Sequence, residues 1–259
     1  MRIALVDSGV GLLAAAAAVR RLRPDASLVL SMDPDGMPWG PRTPEGIAAR
    51  ALACARAAAA EGPDALIVAC NTASVHALSA LRAELEPAVP VIGTVPAVKP
   101  AAAGGAPFAV WATPATTGSG YQRRLIGEFA AGARATEVPC HGLAEAVERA
   151  DEGAVRAAVK AAAELTPPDT AAVVLGCTHY ELVAAPIRAH LASVTGAPVA
   201  LFGSAGAVAA QALRRVGAGP RPEAPATGGL TVFASGRRAA LPDAALSYPE
   251  GRLLAGAAA

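Results

Sequence analysis

At 259 residues the chain can hold one large α/β domain or two smaller ones, and burial of a sizeable core is assured. Hydrophobic residues are 53% and aromatics only 3%, so alanine carries much of the apolar count and the core is expected to be finely packed from Ala, Val and Leu. Lys plus Arg (22) nearly cancel Asp plus Glu (21), and a net charge of +1 supplies neither a basic stripe for nucleic acid nor an attraction to an anionic membrane.

Met1-Arg2 leads directly into a strand-like run ending at Val6, with no signal peptide ahead of it. A helix is expected over 12–22, broken by Pro24-Asp25, and a strand over 27–31. Residues 33–40 are turn-rich and carry Trp39 near their end. An alanine-rich helix over 44–61 then precedes a strand at 65–69, a helix at 74–85 and a strand at 89–93. The pattern restarts with a strand from Phe108 to Trp111, ending in Thr113-Pro114-Ala115-Thr116-Thr117. A helix over 119–131, a short strand at 136–139, a helix over 151–165 and a strand at 171–175 follow. After a strand at 199–202 come a Gly/Ala helix, a Pro/Gly-rich stretch over 217–229 and a strand at 230–234 expected to return to the first domain. The tail beyond Gly236 is expected to be poorly determined and partly disordered.

Alternating strands and helices predict an α/β fold of two pseudo-symmetric half-domains, each a mostly parallel sheet flanked by helices, with the active site in the cleft between them. The first domain is expected to comprise residues 1–95 plus 206–259, and the second 96–205. Asp7 to Cys70 spans 63 positions and Thr113 to Cys177 spans 64, which is the internal sign of duplication. Two charge-poor stretches, 100–121 and 191–213, are broken by Gly, Pro, Ser or Thr and do not read as membrane spans. Four cysteines without C-x-x-C spacing make no zinc framework, and without an export signal they read as thiols of a cytoplasmic protein.

Cys70-Asn71-Thr72 and Cys177-Thr178-His179 each follow a buried-looking apolar run, where parallel sheets bind ligands. A thiol suits proton transfer beside a carbonyl, since its pKa lies nearer neutrality than an alcohol's and a helix start or cation lowers it further. Buried free cysteine is usually a small apolar residue, and that reading holds for Cys54 and Cys140. The echoing motifs set Cys70 and Cys177 apart. Asp7 is either a helix cap or a carboxylate relaying protons near Cys70, and His179 is either structural or the acid/base partner of Cys177. Ser8, Asn71, Thr72, Thr116, Thr117 and Thr178 offer donors to a carboxylate, while also suiting turns and caps. Glu148 reads by default as a helix-surface glutamate. Gly9-Val10-Gly11 lacks the third glycine of a dinucleotide fingerprint.

Val6-Asp7-Ser8-Gly9, Pro38-Trp39-Gly40, Cys70-Asn71-Thr72, the Thr113 segment with Tyr121, and Leu175-Gly176-Cys177-Thr178-His179-Tyr180 together resemble the glutamate racemases, within the aspartate/glutamate racemase superfamily. The resemblance covers nearly the whole chain. It implies a cofactor-independent isomerase in which one thiolate removes the α-proton of glutamate and the opposite thiol returns one, supplying D-glutamate for peptidoglycan. By matching motif, Cys70 and Cys177 are the two bases, Asp7 assists Cys70, and His179 with Glu148 assists Cys177. Asp7, Ser8, Gly40, Asn71, Thr72, Thr178 and His179 hold the amino acid. Relatives are often dimers, so a homodimer is an expected assembly, and the expected ligand is an amino acid or related small acid.

Departures concern the substrate more than the reaction. Gly11-Leu12 stands for the family's Gly-Gly, Trp39 for the tyrosine at the substrate end, and Glu181 for the proline after His-Tyr. They leave open a paralogue acting on aspartate, a hydantoin or maleate. They also leave open a protein that acts by binding a partner, as some relatives bind DNA gyrase. A metal site from Cys177, His179 and Asp7 lacks a second close ligand pair.

Overall fold

In the computed structural model, which describes residues 1–130 and 132–256, the first apolar run becomes β1 (Arg2–Val6), wholly buried after Arg2. Ala131, the expected end of a helix, and positions 257–259 of the expected first domain lie outside the described residues. A 3-10 turn (Val10–Leu12) opens α1 (Leu13–Leu22), and β2 (Ser27–Met32) follows. Helix α2 (Pro44–Ala59) starts where Thr43 accepts the Gly46 N–H at 3.2 Å and Pro44 takes the first turn, which needs no N–H. After β3 (Ala65–Val68), the helix expected over 74–85 is two: α3 (Asn71–His76) begins directly at Cys70, and α4 (Leu78–Leu85) follows a break at Ala77, whose φ is −117°. β4 (Val91–Gly93) closes this run.

The second run holds α5 (Val98–Ala102), β5 (Phe108–Ala112), α6 (Gly120–Phe129), β6 (Ala135–Pro139), α7 (Leu143–Glu148), α8 (Glu152–Glu164), β7 (Ala172–Leu175), α9 (Thr178–Glu181), α10 (Ala184–Thr195) and β8 (Ala200–Phe202). The chain then forms α11 (Ala205–Arg215), β9 (Leu230–Ala234), β10 (Arg237–Ala239), α12 (Asp243–Leu246) and α13 (Pro249–Gly256). The tail expected to be disordered is therefore structured as far as Gly256. Its hairpin turns on Ser235 and Gly236, both at positive φ (46° and 79°), as a two-residue turn matched to strand twist requires.

The chain divides into two compact units, Met1–Val95 with the chain from Ala205 onward, and Pro96–Ser204. Among the described residues the first unit has a sheet ordered β10-β9-β2-β1-β3-β4, parallel except for β10, and the second a parallel sheet ordered β6-β5-β7-β8. In each, the first strand is central, the second flanks it on one side, and the third and fourth lie on the other. β3 and β7 are thus equivalent strands. Ala69 N–H donates to Val6 O at 2.9 Å and Gly176 N–H to Trp111 O at 2.7 Å, the same step beyond each strand.

Core packing is mostly small and aliphatic, yet Trp39, Trp111, Tyr180 and Phe108 are among the largest wholly buried side chains. Trp39, Ile47, Cys54, Val68 and Leu81 share one cluster, and Phe108, Val110, Leu125 and Val174 another. In the first unit the buried Arg20 donates to the carbonyls of Pro24, Ala26 and Gly229, stapling the approach to β9 onto the turn before β2.

Candidate active site

Each unit carries one thiol at the carboxyl end of its third strand. Cys70 caps α3 with φ −142° and ψ 122°, and Cys177 caps α9 with φ −136° and ψ 136°. Both are extended residues that swing the chain from strand into helix, and neither helix start has a side-chain cap. Cys70 is 6% exposed, while Cys177 is more accessible.

In the first unit, Asp7 follows β1 and is fully buried, with its N–H donating to Ser31 O at 3.2 Å and one carboxylate oxygen accepting from Ser8 Oγ at 3.4 Å. Ser8 is also buried, and its carbonyl accepts the Asp33 N–H at 3.2 Å. Because β1 and β3 are adjacent, Asp7, Ser8 and Cys70 leave the sheet at one end, with Asn71 buried and Thr72 half-buried on α3. Ser74 of the same motif is architectural. Its hydroxyl donates to Val68 O and accepts the Thr94 N–H, tying β3 to the end of β4.

Trp39, expected at the substrate end, lies in the core, 1% exposed, with its indole N–H donating to Asp33 Oδ2 at 2.9 Å. The buried Asp33 carboxylate also accepts from Arg50 at 2.9 Å and from Ser235 Oγ at 2.9 Å. It thereby anchors the 33–40 loop, α2 and the β9–β10 turn, and half-exposed Gly40 follows the anchored tryptophan. Sequence reasoning treated Asp33 only as a turn former, and no local signal distinguishes it.

In the second unit, Cys177 Sγ lies 3.8 Å from His179 Nδ1, and His179 Nε2 lies 3.0 Å from Glu148 Oε2. The histidine is 3% exposed. A carboxylate at Nε2 places the ring proton there in the neutral imidazole, so Nδ1 faces the sulfur as an acceptor, and the imidazolium form would donate to a thiolate. Glu148, read by default as a surface residue, ends α7 and belongs to this array. Thr178 is buried beside them on α9. The Thr113 loop is preformed: the Thr113 and Thr116 hydroxyls meet at 3.2 Å, Thr117 Oγ1 donates to Thr113 O at 3.1 Å, and Gly118 N–H donates to Glu137 at 3.0 Å.

The other two thiols differ. Burial, with Asp33 nearby, pushes Cys54 up to about 12, and burial raises Cys140 well above the usual thiol range. Both are 2% exposed and fill core space.

A family model described as Asp/Glu/Hydantoin racemase matches residues 12–215. The chain belongs to this racemase family. It is therefore an isomerase by descent, and its relatives carry the glutamate name. It is 37% identical over 221 residues to glutamate racemase of Pseudomonas putida (strain W619), covering 83% of this chain and 82% of the relative. It is 39% identical over 194 residues to that of Roseiflexus sp. (strain RS-1), covering 72% and 70%. The fold matches Escherichia coli glutamate racemase, crystallised with L-glutamate and the activator UDP-MurNAc-Ala, with a TM-score of 0.78 and 28% identity over 95% of this chain and 91% of that one. Among the described residues no helix is long and apolar enough to cross a membrane.

Proposed function

We propose that this chain interconverts L- and D-glutamate by a two-base reaction in which Cys70 and Cys177 act on opposite faces of the α-carbon, and that its D-glutamate feeds peptidoglycan synthesis. The observation that carries this reading is the Cys177–His179–Glu148 array, which follows the strand equivalent to the one that precedes Cys70. The names of the relatives support glutamate as the substrate.

In this reaction one thiolate takes the α-proton while the opposite thiol gives its own to the carbanion, so the configuration inverts and the two sulfurs exchange protonation states. His179, held by Glu148, accepts or returns the Cys177 proton, and Asp7 serves Cys70 in the same way. Ser8, Gly40, Asn71, Thr72, Thr116, Thr117 and Thr178 hold the substrate's carboxylates and ammonium. Donors on the α-carboxylate stabilise the negative charge that spreads into it as the α-proton leaves.

Purified protein incubated with either enantiomer in heavy water is expected to incorporate deuterium at the α-position and to drift to a racemate. Cys70→Ala and Cys177→Ala are each expected to lose about 10²–10⁴-fold in racemisation. A panel containing glutamate, aspartate, a hydantoin and maleate decides the substrate. Exchange on aspartate alone would replace the substrate, and no exchange on any member would overturn the reaction.

A further inference from the structure

Glu181 stands where the family has proline, and its carboxylate is committed to the protein. Glu181 Oε1 accepts the Ser204 N–H at 2.8 Å and the Ser204 hydroxyl at 2.9 Å, just past the end of β8. Ser204 is buried, and a Cβ at Gly203 would fall 2.4 Å from the same carboxylate, so glycine there leaves room for the contact. The helix that carries Glu181, α9, is a single four-residue turn with no side-chain cap, too short to hold itself. Two further anchors lie on the opposite side of β7. His179 meets Glu148 of α7, and Tyr180 OH donates to Cys140 O at 3.5 Å, beyond β6. In the order β6-β5-β7-β8, Glu181 holds α9 on the β8 side.

We propose that Glu181 is a positioning residue: by tying α9 to Ser204 it fixes His179 against Cys177. This rests on the proposed racemase reading.

The test compares Glu181→Ala, Glu181→Gln and Ser204→Ala. Glu181→Ala is expected to lower kcat about 10-fold from both enantiomers with KM within twofold. Glu181→Gln, which keeps an acceptor oxygen, should return kcat to within twofold of the parent, and Ser204→Ala should fall about threefold. Iodoacetamide labelling followed by peptide mass spectrometry gives a readout that needs no substrate. Cys177 in Glu181→Ala should alkylate at least threefold more slowly, with Cys70 unchanged in the same digest. If the parent protein racemises nothing, the function fails and the labelling alone decides Glu181. An unchanged kcat, or equal slowing at both thiols, would overturn the proposal. Should Glu181→Ala not fold, the glutamine and Ser204 variants carry the same comparison.

Discussion

The imidazole of His179 stands between a sulfur at 3.8 Å and a carboxylate at 3.0 Å, and the two contacts ask different things of it. The carboxylate fixes the tautomer and stabilises the imidazolium, and a neutral amide can do neither as well. Glu148→Gln is therefore expected to lower kcat about 10²-fold with KM little changed, measured from each enantiomer. Cys54 makes a second prediction, on stability. Its folded value, about 12, lies above the 9.0 of a free thiol, so above pH 9 the unfolded chain sheds a proton that the folded one keeps. The sign is a loss of stability as pH rises from 9 towards 12, by up to about 1.4 kcal/mol per pH unit for this thiol. Urea melts across that range should be flatter for Cys54→Ala than for the parent. Cys70 and Cys177 could be singled out in the sequence because two segments echoed each other. Glu148 was named only through the family resemblance and Asp33 not at all, because each works through a partner far along the chain, 31 positions away for His179 and 202 for Ser235.

Three helices whose starts carry a hydroxyl or carboxylate were legible in the sequence, as was α1, whose start has no side-chain cap. Thr43, Ser119 and Asp151 each cap a helix with the side chain accepting an N–H, and all three helices were anticipated near their observed starts. Ser119 Oγ accepts the Gln122 N–H at 3.1 Å. Ser119→Ala is expected to lower stability by about 1 kcal/mol, seen as a reduced urea midpoint with an unchanged m-value. Helix α5 escaped notice, and α7 was implied only by reading Glu148 as a helix-surface residue. Five and six residues are too few to establish a 3.6-residue period, and α7 opens on Gly142 without a side-chain cap. The break between α3 and α4 was likewise hidden, since Ala77 is itself a good helix former and nothing in its neighbours marks an end. Strands were read more closely because each is a short buried run of Val, Ile, Leu and Ala ending at a turn signal.

Across the whole molecule, the near-equal spacings 63 and 64 correspond to two sheets with the same strand order around β1 and β5. Such a repeat is visible in sequence because equivalent strands must be alike in length and burial. What the repeat does not carry is the addition to one copy alone, β9 and β10, which extend the first sheet beyond β2. β9 was expected there. The hairpin with β10 and the two closing helices were not, because Ser235 at positive φ disguises the turn. Its hydroxyl on Asp33 helps hold that conformation.

The placement of β9 has a consequence for how the protein comes into being. A nascent chain leaving the ribosome has all of Pro96–Ser204 in hand while the sheet begun by β1 still lacks its neighbour on the β2 side. Until residues 230–234 emerge, β2 is an unprotected edge whose backbone donors and acceptors are open to a stray strand. The portion made first is thus the last to close, and the Arg20 staple, which needs the Gly229 carbonyl, can be completed only near the end of translation.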